Sequence, residues 1–286
     1  MAFDDISDHI PKDLLDYYEF RSHRHAAAIL AMGCKELFGE ILEALRQFRI
    51  TIADIRKPGG NESDIPKKIA ELLRPKQWLE TRIRADLHVY AFTKQPRAPG
   101  EKKRKTRRID LGKRSDEHFI NSLSKVRKAY IDGHKVDFVK GDVAFDFEWN
   151  SKDQTFDRDL FALSAFYDCG LISAGIVCTR AQELNLVFKA LGPELDAQGN
   201  VRFTKDGKPK MLAAKYGAST TWLGKLTSRI EAGRAGGCPI LAIGIRQEAI
   251  SDWEAWEKAN PGAVEGVDDP DTIEDDDDDE AGSDDA

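Results

Sequence analysis

The residues best suited to do chemistry lie in one short stretch, residues 136–150, VDFVKGDVAFDFEWN. It reads as two strands, Lys135–Lys140 and Val143–Trp149, around a turn at Gly141-Asp142. Side chains on a strand alternate between its two faces. Phe145, Phe147 and Trp149 therefore share one face, and Asp146, Glu148 and Asn150 share the other. On the first strand Val136 and Phe138 point one way and Asp137 the other. The hairpin thus has an apolar wall and a face that gathers three carboxylates and an amide.

Such a face is costly. Strands disfavour Asp, and like charges at neighbouring positions repel. Converging carboxylates beside a buried sheet raise one another's pKa. Two arrangements tolerate them: an edge hairpin whose polar side meets solvent, or a bound divalent cation. Hard cations such as Mg²⁺ take carboxylate, water and phosphate oxygens, and can activate a water molecule. Strongly apolar flanks favour the cation.

The elements around the hairpin must position it. Residues 26–48 carry apolar side chains at helical spacing, and Ile65–Leu73 reads as a second helix stopped by Pro75. Lys57–Ser63 is a turn-rich loop, and residues 82–92 alternate as a strand. Residues 94–108 hold eight basic residues, one acid and two prolines. They read as a loop, either merely solvated or touching phosphate through Lys102, Lys103 and Arg104. Residues 115–131 read as a helix capped by Ser115, with Asp116 and Glu117 in its first turn. His134 reads as a surface residue in a turn. Asp157–Tyr167 is predicted helical and ended by Cys169-Gly170. Its approach and first turn hold Lys152, Asp153, Asp157, Arg158 and Asp159, of which Arg158 can meet phosphate or form a surface pair. Leu171–Thr179 and Pro239–Ile245 read as buried central strands, residues 182–191 and Trp222–Ala232 as helices, and 196–210 as an exposed hairpin or loop. The whole is α/β: a mixed β-sheet flanked by helices, with a helical N-terminal region.

Composition narrows the function. Hydrophobic residues make up 41% of the 286 and charged ones 33%, and no window is apolar enough to span a membrane. The acidic N-terminus lacks a signal-peptide core, and the four cysteines lack C-x-x-C spacing. These features predict a reduced, cytoplasmic protein without a disulfide scaffold or zinc knuckle. Residues 265–286 hold 13 acidic and no basic side chains, so residues 1–264 carry +6 against −7 for the whole chain. The body is basic, which favours a polyanionic partner, and the acidic tail is predicted disordered.

An Asp on a first strand followed by acid-x-acid on a second resembles the PD-(D/E)XK nuclease signature. The longer run Val136–Leu160 with ISAGIVCTR resembles the BglII-like group of type II restriction endonucleases, as do GGNES (59–63), STTWLGKL (219–226) and GGCPILAIGI (236–245). The resemblance spans most of residues 20–246. It implies a PD-(D/E)XK restriction-endonuclease-like core and Mg²⁺-dependent, sequence-specific cleavage of double-stranded DNA. Asp137 matches the first metal-binding aspartate. Asp146 stands where the family often has Glu, and Glu148 matches the third position, where relatives carry Lys, Gln or Glu. The frame Glu148-x-Asn150 is the alternative. By this resemblance Asp137, Asp146 and Glu148 hold one or two Mg²⁺, and Glu148 ligates metal or deprotonates the attacking water. Asn150, Glu117 and Lys152 are weaker candidates. Arg158, Arg180, Ser219, Thr220 and Arg234 join the basic loop as candidate DNA contacts. A homodimer, a palindromic site and a partner DNA methyltransferase are also implied. A non-catalytic DNA-binding protein, or a repair or nicking nuclease, are the other readings of such a fold. The expected organisation is one nuclease domain over 1–264, with a helical part near 1–93, a basic loop at 94–108, a catalytic core near 115–250, and the tail at 265–286.

Overall fold

The computed structural model describes residues 3–58, 64–94, 100 and 119–263. Its backbone is a six-stranded mixed sheet in the order β1-β6-β5-β4-β3-β2. The strands are β1 Tyr18–His23, β2 Leu79–Lys94, β3 Phe119–Lys140, β4 Val143–Phe147, β5 Ala174–Arg180 and β6 Ile240–Ile245. β4, β5 and β6 run parallel; β1 and β3 flank them antiparallel.

Alternation along the parallel strands sorts the core into two layers. Val143, Phe145 and Phe147 of β4, Ile176 and Cys178 of β5, and Leu241 and Ile243 of β6 share one cluster with Phe38, Ile41 and Leu45 of the helix Lys35–Gln47. Alternate residues of β5 and β6 meet the helices Thr155–Asp168 and Leu223–Glu231. A Cβ on Gly175 would stand 3.0 Å from Leu163, and one on Gly244 would stand 2.8 Å from Leu223. Parallel strands covered on both faces read as continuous apolar runs, which is why Leu171–Thr179 and Pro239–Ile245 are legible. Gly141, at φ +55°, makes the turn between β3 and β4. Lys140 at the end of β3 bonds both oxygens of Glu40 at 2.7 Å, and Glu40 also accepts from Trp78 Nε1 at 2.8 Å. This network ties β3 to the helix above it.

Three expectations need correction. Residues 119–131 are not helical but belong to β3. Phe119, Ile120, Val126, Tyr130 and Ile131 are strand formers, and pairing with β2 prevails over the helix-like charge pattern. The N-terminal region is not purely helical, because β1 pairs with β6 from Tyr18↔Ile245 to His23↔Ile240. The helix expected over 26–48 is interrupted by a π turn at Ile29–Gly33 and restarts at Lys35. Ser115, Glu117, the run Lys102–Arg104, the GGNES motif and the acidic tail lie outside the described residues.

The chain divides into two compact units. One comprises Met1–Thr81 with Lys135–Ala286 and contains the central sheet and the carboxylate hairpin. The other, Arg82–His134, contains the outer lengths of β2 and β3. All four cysteines are free, and among the described residues no helix is long and apolar enough to cross a membrane.

Candidate active site

β4 lies between β3 and β5, and all five of its residues are buried. Its carboxylate face is therefore not the solvent side of an edge hairpin. Asp146 is only 3% exposed and Glu148 only 8%. Asp137 precedes Phe138, the partner of Phe145, so Asp137 and Asp146 come together at the end of the β3–β4 ladder. There the Asp137 N–H donates to Asp146 Oδ1 at 3.3 Å. Glu148 lies just past β4 and is still held to β5, its N–H donating to the Cys178 carbonyl at 2.9 Å.

A fourth carboxylate enters from the helix Thr155–Asp168. Asp159 is 2% exposed, and Arg158 clamps its Oδ1 through Nε at 2.9 Å and Nη2 at 2.8 Å. Arg158 also reaches Glu148 Oε1 at 3.6 Å, while two thirds of its own side chain stays exposed. Asp159 follows the buried Phe156 by three residues and precedes the buried Leu163 by four, so it sits on the helix's apolar side. An acid in that register is the signal in the sequence, and it is hidden when Asp159 is read as one more acid of the first turn.

The electrostatics follow from this burial. Desolvation, then the charges of Asp159, Asp137 and Glu148, hold the Asp146 carboxyl well above its usual range. Desolvation, with the Asp159 charge, pushes Glu148 up to about 8. Desolvation also raises Asp159, against the opposing pull of Arg158. Asp159 Oδ2 is buried with no hydrogen-bond partner. A crowded set of hard oxygen donors with one orphaned oxygen fits a divalent cation. Among the described residues no three His, Cys, Asp or Glu side chains enclose an ion by themselves.

The sequence model of the restriction endonuclease BglII/BglIII family matches residues 18–245. The chain belongs to this family. The match opens at Tyr18 and closes at Ile245, a pair joined across β1 and β6, so it takes in the whole sheet. This restriction endonuclease is thus a type II site-specific deoxyribonuclease, a hydrolase that cuts DNA at defined sequences. No curated protein matches the chain.

The remaining candidates fall in different places in this restriction endonuclease. Asn150 Nδ2 donates to the Lys215 carbonyl at 3.3 Å, and its Oδ1 is buried without a hydrogen-bond partner. Lys152 is exposed and pairs by backbone with Thr220. Arg180 is not an accessible base reader, because it is 0% exposed. Its Nη2 bonds Thr220 Oγ1 at 2.5 Å and the Tyr216 carbonyl at 3.1 Å, while Nε and Nη1 have no partner. Burial lowers its pKa to about 10. Thr220 is buried with it; Ser219 is exposed. Arg234 stays exposed, 3.6 Å from Asp157. The 215–222 segment in turn holds the stretch after β4: Thr221 N–H donates to the Ser151 carbonyl, and Asp153 N–H to the Ser219 carbonyl, both at 2.9 Å. A cavity of about 140 Å³ opens beside this segment, lined by Phe188, Tyr216, Trp222 and Lys225 and by none of the carboxylates.

Proposed function

We propose that this enzyme hydrolyses phosphodiester bonds of duplex DNA with Mg²⁺ held by Asp137, Asp146 and Glu148. The observation that supports this reading is the convergence of these carboxylates with Asp159 at the end of β4, where Asp146, Glu148 and Asp159 are buried and Asp137 is half-buried. When bound there, the ion supplies Lewis acidity toward a phosphate oxygen and lowers the pKa of a coordinated water. The chain's own residues supply the rest. Glu148, the third of these carboxylates, also orients the attacking water and takes its proton. Asp159 holds Arg158 in place, and the exposed part of that guanidinium is available to a phosphate. The basic body draws the polyanion in.

The working unit in this reading is a cytoplasmic homodimer. Two related active sites match the two-fold symmetry of a palindromic duplex site and cut both strands. Cleavage at a defined sequence also threatens the host's own copies of it. A cognate DNA methyltransferase that masks them is the expected genetic partner.

Plasmid digestion tests the reading. Discrete fragments are expected with Mg²⁺, and none with excess EDTA. Asp137→Asn and Asp146→Asn should abolish cleavage while leaving specific DNA binding largely intact. Undiminished cutting in EDTA would overturn the metal assignment. Full activity in Asp146→Asn would favour the Glu148-x-Asn150 frame.

A further inference from the structure

We propose that the outer ribbon of β2 and β3 is a sequence-independent grip on the phosphate backbone of duplex DNA. The nuclease reading enters only in naming DNA as the polyanion.

β2 has 16 residues and β3 has 22, against a common strand length of about five or six. Beyond the buried Ile83 the described part of the ribbon is open to water. Arg84, Asp86, His88, Val89 and Tyr90 on β2 are exposed, as is every residue from Lys125 to Lys128 on β3. A two-stranded ribbon with both faces in water is only marginally stable. A chain that builds one at this length has a use for its surface.

The charge of that surface identifies the use. Residues 82–91 and 125–134 contain five Arg or Lys and two Asp. Both acids are engaged within the ribbon. Asp86 accepts from the Ala129 N–H at 2.8 Å, and Asp132 lies 3.6 Å from Arg82. Arg84, Lys125, Arg127 and Lys128 therefore present net positive charge, without counting the run at 94–108. Tyr130 is 52% exposed, and the Arg127 guanidinium stands 5.1 Å from its ring centre. Ala129 adopts a left-handed φ of 51° inside β3, where the Asp86 carboxylate holds its N–H. Two-stranded ribbons carry a strong right-handed twist, and a left-handed residue whose N–H is held by a side chain is the kind of irregularity that sharpens it. A twisted two-stranded ribbon is one of the shapes that fit along a DNA groove. Lys and Arg on such a ribbon meet phosphates rather than base edges, so they contribute affinity without sequence preference.

The test uses the full chain with a non-cognate duplex in EDTA, where nothing is cut. The variant is Arg84→Ala/Lys125→Ala/Arg127→Ala/Lys128→Ala, with the milder Lys125→Gln/Lys128→Gln as a second step should the first fail to fold. Affinity at low salt should fall by at least about tenfold for the quadruple change. The plot of log affinity against log salt should flatten by about 0.9 for each phosphate that the variant no longer neutralises. Duplex DNA should also protect the ribbon of the wild type from trypsin. Unchanged affinity and slope in variants that still cut cognate DNA would overturn the ribbon's role and leave the nuclease reading standing. A wild type that binds no DNA and cuts none would overturn the nuclease reading itself. Loss of dimerisation with an unchanged salt slope would overturn the proposal by assigning the ribbon to a second copy of the chain.

Discussion

At the scale of single residues the carboxylate cluster is a source of instability as well as chemistry. Asp146, Glu148 and Asp159 all have raised pKa values because burial penalises their charged forms. The folded protein therefore holds these protons more tightly than the unfolded chain does. A group of this kind stabilises the fold fully below its unfolded pKa, near 4.5 for Glu148, and loses that contribution as pH rises toward about 8. Metal-free protein should thus become less stable across this window. Asp146→Asn removes one buried ionisable group but keeps an oxygen to accept from the Asp137 N–H. In EDTA at neutral pH it should be more stable than wild type by roughly 1–3 kcal/mol, with a flatter pH profile. Thermal melts from pH 5 to pH 8 check this, and equal melting temperatures at every pH would refute it. Mg²⁺ should raise the melting temperature of the wild type more than that of the variant, because only a ligand that binds the native state stabilises it. Asp159→Asn should likewise stabilise metal-free protein, and it should also loosen Arg158, whose two short bonds both end on Asp159 Oδ1.

At the scale of elements, β5 and the segment 215–222 brace the strand end that carries Glu148. Arg180 leaves β5 and fixes Tyr216 and Thr220, and their neighbours Ser219 and Thr221 hold Ser151 and Asp153. Thr220→Val keeps the shape and removes the hydroxyl. It strips Arg180 of an acceptor and the Gly217 carbonyl of a donor. The expected loss is about 1–3 kcal/mol by urea unfolding, together with slower cleavage. A variant as stable and active as wild type would show that the brace is not needed. None of this brace is legible in the sequence, where Arg180 and Thr220 read as DNA contacts, because burial of an Arg depends on chain segments 36 and 40 residues away. The hairpin is legible because period-two alternation is a local signal, and the face holding Asp146 and Glu148 is where alternation puts it. β3 beyond the hairpin reads wrongly as helix, because the stretch from Lys125 to Tyr130 is open to water and carries no apolar period to separate strand from helix. β1 escapes a sequence reading for a related reason: its six residues are fixed by β6, more than two hundred residues along the chain.

At the scale of the whole molecule the charge distribution matters more than the net charge. A body of +6 is joined to residues 265–286, which carry 13 acids and no base. A tethered polyanion is present at high effective concentration around the cationic surfaces of its own chain. It competes there with DNA through charge alone. Non-specific DNA binding also rests on charge alone, whereas specific binding adds base contacts that a run of aspartates cannot replace. Deleting residues 265–286 should therefore leave the cleavage site unchanged and raise affinity for non-cognate duplex at low salt. Affinity for the cognate site should rise less, so the ratio of specific to non-specific binding should fall. Salt shortens the reach of these interactions to about 10 Å at 0.1 M, so the difference between full-length and truncated protein should shrink as salt is added. The measurement is a salt titration of both proteins on cognate and non-cognate duplexes in EDTA. Equal non-cognate affinities at low salt would remove the competitive role and leave the acidic segment a contribution to solubility alone.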